Sequence, residues 1–291
     1  MFIKINLNNY KLKEVSKSIL NTLNKLNLSN YSEIYLIDDS IKDFSSFNIS
    51  SVKNNSLIIF NKISNKSLFE VSDFKNLKQK NIIYYFQNTK SLNFIRDFKV
   101  NDFIYNNNFI LDRSTIYISN LYFDLNNLKY NQDSFLKKDS QLNQNDVLLL
   151  SKSQKAYINI RNNHLYRETI SNTTIKNVLK NKSFSRYDGM INILKSGDFS
   201  KAYLETNSML LSDISRSISV PMLEIVPKNV KATHAATVEH VTEEQLFYLS
   251  SRSLSKKNAY NLMVSSFLKA NISFYPEKII SFIEKKIKDK L

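Results

Sequence analysis

The chain has 291 residues, a formal charge of +15, only two glycines (Gly189 and Gly197) and no cysteine. So few glycines exclude the phosphate-cradling P-loop, the three-glycine dinucleotide fingerprint and the glycine-flanked serine elbow, each of which needs bare backbone at fixed spacing. Without cysteine the chain cannot by itself form a disulfide, a thiolate nucleophile, a cysteine-ligated zinc site or a stable iron–sulfur centre.

In chain order, Leu12, Val15, Ile19, Leu23 and Leu26 recur at helical spacing and predict an N-terminal helical segment over residues 1–31. Short β-branched and aromatic runs follow. Ile34–Ile37, Leu57–Phe60, Ile82–Phe86, Ile116–Ile118, Val147–Leu150 and Tyr157–Ile160 come first, then Met190–Leu194, Ala202–Leu204, Met209–Leu211, Met222–Val226 and Ala235–Val238. An antiparallel sandwich or a solenoid of stacked strands would give this spacing. Asn-Gly is absent and Asp188-Gly189 is the only Asp-Gly, so tight hairpins are poorly supported and a parallel solenoid over 32–240 is favoured.

From 241 to 291 the pattern is helical again. Thr242 and Gln245 are spaced as a capping box, with Val241 and Leu246 as its hydrophobic staple. Ser255 is placed to cap a second helix with Ala259, Leu262, Met263 and Phe267 on one face. Pro276 opens a third, with the stripe Ile279/Ile280, Ile283 and Ile287.

The charge resides mainly in lysine: only seven of the 41 basic residues are arginine. The lysines are scattered, and phosphate and base-edge recognition favours arginine, so nucleic acid is not the expected partner. There is no secretory signal pattern and no apolar run of the roughly 18 residues needed to span a bilayer, so a cytoplasmic protein is expected.

Strand alternation in Lys231–Val238 puts Ala232, His234, Ala236 and Val238 on one side, opposite Lys231, Thr233, Ala235 and Thr237. His234 is then either a core imidazole bonded to backbone, or a metal-binding or proton-transfer group on a surface that another subunit covers. Glu239 and His240 are adjacent and so poor co-ligands, which makes a solvated turn the simpler reading there. His164, in the polar stretch Arg161–Arg167, is expected at the surface. No carboxylate pair compels an acid–base mechanism, which disfavours a polysaccharide-acting solenoid enzyme.

Met209-Leu-Leu-Ser-Asp213, Pro221-Met-Leu-Glu-Ile225, Val230-Lys-Ala-Thr-His-Ala-Ala-Thr-Val238 and Glu244-Gln-Leu-Phe-Tyr-Leu249 with Ser251-Arg252 together resemble the C-terminal signature of the SufB/SufD family. These are scaffold subunits of the SUF iron–sulfur cluster assembly machine. His164 with Ser171, and Arg186–Gly189, also fit that pattern. The His-Ala-Ala-Thr-Val form is more similar to the SufD branch than to SufB. The resemblance implies a right-handed parallel β-helix flanked by helices, with no catalysis of its own. It implies pairing with SufB, docking of the ATPase SufC by the 241–291 helices (Phe247, Tyr248 and Arg252), and a homodimer when SufB is absent. It also places His234 at the shared interface, where a nascent cluster is held transiently. Ala232 stands where the family often has cysteine, so sulfur ligands would come from the partner.

Overall fold

Every strand ladder among the described residues is parallel, because the chain returns to the same edge after each coil rather than reversing in a hairpin. The computed structural model describes residues 3–4, 31–74, 77–270, 272–273 and 275–290. The expected N-terminal helix at 12–26 lies outside them.

One sheet has nine strands in the order β1 (Ile3–Lys4), β3 (Ser45–Asn48), β5 (Ser67–Phe74), β7 (Lys90–Val100), β9 (Thr115–Leu125), β11 (Gln141–Leu150), β13 (Ile170–Leu179), β15 (Lys201–Leu210) and β17 (Lys231–His240). The facing sheet has eight, from β2 (Ile34–Asp38) through β4 (Ser56–Asn61), β6 (Gln79–Gln87), β8 (Phe103–Asp112), β10 (Asn127–Leu136), β12 (Lys155–His164) and β14 (Phe184–Ile193) to β16 (Arg216–Ile225). Each coil contributes one strand to each sheet, and the coils from β9 to β16 consume 26 to 32 residues each, as in a β-solenoid. The parallel architecture is thus the one favoured by the sequence.

Alternation decides what faces inward. On β15, Ala202, Leu204 and Leu210 join a core enclosed between the sheets, while Met209 joins a second core outside the nine-stranded sheet. Three helices, α1 (Glu243–Ser250), α2 (Lys256–Lys269) and α3 (Glu277–Lys290), follow the solenoid. α2 and α3 cover that outer face, burying Val264, Leu268, Ile279, Ile283 and Ile287 against Phe123, Leu149 and Val178. Tyr275 donates to the Ile118 carbonyl at 3.1 Å, and Lys286 pairs with Asp97 at 2.7 Å. The capping box and the Ser255 cap form as expected. The α2 stripe differs: Ala259, Val264 and Leu268 are buried whereas Leu262 is exposed, because the phase of α2 is set by the sheet it lies on. No helix among the described residues is long and apolar enough to cross a membrane.

Glycine does not supply the left-handed corner residues. Asn55, Lys62, Asn88, Arg113, Lys152, Asn181 and Phe199 all hold the left-handed conformation, φ 49–61°. Neither glycine has positive φ. Gly189 is needed for close approach instead: a Cβ there would lie 2.7 Å from both the Tyr187 ring and Leu204 Cδ1. Gly189→Ala is expected to lower stability by about 1–3 kcal/mol through overpacking. An unchanged urea midpoint would show that the interior around Tyr187 yields freely.

Candidate functional site at the open end of the solenoid

β16 and β17 each have a hydrogen-bonded neighbour on one side only, and no described strand lies beyond them. The inward-facing columns of the solenoid therefore reach the surface here. Register places Leu223 on Ile191, Ile225 on Ile193, Val238 on Ser208 and His234 on Leu204. The four lower residues are buried, whereas the four above them are exposed. Leu223, Ile225 and Val238 leave an apolar face beside His234, with Val238 at 49% exposure. Two long strand edges with free backbone donors and acceptors border it, a surface that favours pairing with another chain.

The structure keeps the strand alternation expected for 231–238 and leaves the His234 imidazole outside the core. Its row is the inward one, continuous with Ala202 and Leu204, yet no coil closes over it. The imidazole is exposed and bonds to no described residue. Ala232 and Ala236 flank it in the same row, so small side chains leave the ring accessible. Glu239 and His240 are the last residues of β17 rather than a turn, with alternation sending them to opposite sides.

His164 corrects the sequence reading. It is fully buried at the end of β12, with Nδ1 2.8 Å from Thr169 Oγ1 and Nε2 2.9 Å from Ser171 Oγ. Burial lowers its pKa to about 4, so it is a neutral packing group near pH 7. The polar stretch around it reads as surface in the sequence, but its amides turn inward: Asn162 donates to Thr173 Oγ1 and Asn163 to the Ser134 carbonyl.

Phe247 and Tyr248 lie on α1, and Arg252 in the turn after it. Only Leu246 of α1 is buried, Phe247 and Tyr248 are exposed, and Arg252 stacks 5.3 Å from the Tyr248 ring while donating to its hydroxyl. Among the described residues no group of three or more His, Asp or Glu could hold a metal ion. A cluster at His234 would therefore need ligands from elsewhere.

The open end and the coils beneath it fall within the segment 103–267, which matches the family described as SUF system FeS cluster assembly, SufBD core domain. The chain belongs to the SufBD family. Among similar proteins, an iron–sulfur cluster assembly SufBD family protein of Mycobacterium leprae is 34% identical over 105 residues, which is 36% of this chain and 12% of that protein. The SufB of Bacillus subtilis is 29% identical over 122 residues, 42% of this chain and 26% of the relative. A SufBD family protein of Antithamnion sp. is 28% identical over 130 residues, 45% of this chain and 44% of the relative. The matches thus span less than half the length of each of these SufBD relatives.

Proposed function

We propose that this SufBD chain is a non-catalytic scaffold subunit of a SUF iron–sulfur assembly complex, SufD-like in role. Its open end joins a SufB-type partner, and His234 lends an imidazole to a cluster whose sulfur ligands come from that partner. The uncovered last coil carries the reading: an accessible imidazole lies in a small-residue row between two strand edges. Imidazole suits iron, and a chain with no cysteine cannot hold a cluster without outside thiolates. This lack of thiolate favours the SufD role over the SufB role. The exposed aromatic face of α1, whose one buried residue is Leu246, is the surface we assign to SufC.

Co-expression with SufB and SufC partners tests the reading. His234→Ala should fold and co-purify as the native chain does, because the ring is exposed and makes no hydrogen bond to a described residue. Cluster yield in the assembled complex, read from its visible absorption, should fall about tenfold, the scale of losing a metal-site side chain. Failure of the native chain to co-purify with SufB would sink the docking surface. Unchanged cluster yield in the variant would remove His234 from the site.

A further inference from the structure

A concavity lies where α2 and the end of α3 meet the corner turns of the solenoid. It encloses about 770 Å³, within the range of small-molecule sites. Its floor is apolar: Phe123 and Leu149 from the outer face of the nine-stranded sheet, and Val264 from α2. Tyr260 lines it from the same helix. Among the described residues, the charged groups at its walls are Lys152, Lys180, Lys257 and Lys290, against one carboxylate, Asp289.

Lys290 is paired with Asp124, but Lys152, Lys180 and Lys257 form no ion pair with a described residue. The first turn of α2 contains no acidic residue, so nothing on that turn offsets Lys257. The turns bearing the other two lysines are tied together, since the Lys152 N–H donates to Asn181 Oδ1 at 3.2 Å. Ser151 N–H donates to Gln154 Oε1 at 2.7 Å, and Lys180 N–H to Ser183 Oγ at 3.1 Å. The cationic side chains thus extend from fixed backbone around an apolar floor with an aromatic wall.

We propose that this cavity binds a small phosphorylated molecule with a flat aromatic body. The ring would lie against Tyr260 and the apolar floor, and the phosphate would meet the ammonium groups of Lys152, Lys180 and Lys257. Such a site needs no glycine loop, because the side chains rather than bare backbone supply the positive charge.

Isothermal titration of the full chain with phenyl phosphate and with adenosine monophosphate tests this. Both should bind saturably, and adenosine, lacking phosphate, should bind at least about tenfold more weakly. The double variant Lys180→Glu/Lys257→Glu should weaken both phosphates about tenfold or more. Lys129→Glu/Lys155→Glu alters the net charge equally on exposed strand positions of the other sheet and should leave binding unchanged. Circular dichroism of both variants confirms that each is folded. Absence of saturable binding of either phosphate up to the millimolar range would overturn the proposal. So would equal weakening by the two double variants, which would reduce the effect to general attraction by a basic protein.

Discussion

Replacing Arg96 by methionine is expected to destabilise the chain by about 3–5 kcal/mol, a large part of the 5–15 kcal/mol typical of a folded domain. Arg96 lies inside the solenoid on β7, fully buried, with its guanidinium carbon 5.2 Å from the rings of Tyr84, Phe98 and Tyr105 and 5.3 Å from Phe109. It donates to Glu70 on the adjacent coil at 3.2 Å, and to Asn107, Asn120 and Tyr130. Burial alone would favour deprotonation, but the Glu70 carboxylate and the surrounding phenols more than offset it and hold the guanidinium charged. Methionine can fill the aromatic cage, so packing is largely preserved. The loss comes from Glu70, left buried without its counter-charge although Tyr84 and Ser72 still donate to it. Adding Glu70→Gln to Arg96→Met should recover much of the loss by removing the stranded charge. Urea midpoints of the two single variants and the double variant measure the coupling. An Arg96→Met midpoint equal to that of the native chain would show that the pair contributes nothing.

That buried pair also explains why some strands were hidden in the sequence while others were plain. Leu57–Phe60, Ile82–Phe86 and Val147–Leu150 stand out because alternate residues face two apolar cores, or a core and a covered surface. β7 and β10 carry Arg96, Gln132 and Ser134 inward, where paired polar groups occupy positions that alternation would reserve for apolar ones. The same internal pairing hid His164. Corners were unreadable for another reason: Lys62, Arg113, Lys152 and Phe199 take the left-handed conformation that turn signals assign to glycine or asparagine. For His234, the alternation fixed its row. Its exposure depends on where the stack ends, a property of the whole coil count that no local window contains.

Asp146 should make the protein less stable as pH rises toward neutrality, and Asp146→Asn should reverse that. Its carboxyl is buried on β11, and burial raises its pKa from 3.8 to about 7 despite hydrogen bonds from Gln144 and Asn120. Between those values the folded chain keeps a proton that the unfolded chain releases. The stabilisation is complete below the unfolded pKa and is lost as pH rises through the folded one, up to about 4 kcal/mol. His164 works in the opposite sense. Its folded pKa of about 4 lies below the ordinary 6.5, so its contribution, up to about 3 kcal/mol, is present above pH 6.5 and lost as pH falls toward 4. The two slopes oppose each other between about pH 4 and 6.5, leaving the native profile flattened there and falling only beyond it. Asp146→Asn removes one slope: stability should then rise with pH until the imidazole of the unfolded chain is neutral, above about pH 6.5, and stay level. Near pH 8 the variant should exceed the native chain by up to about 4 kcal/mol, less the cost of turning the Gln144 and Gln132 amides to meet the new donor. Those amides already bond to each other at 2.6 Å, so they can turn as a pair. Urea midpoints from pH 4 to 8 measure the profiles; a variant less stable than the native chain at pH 8 would mean that the Asp146 carboxylate is held ionised by its amide neighbours.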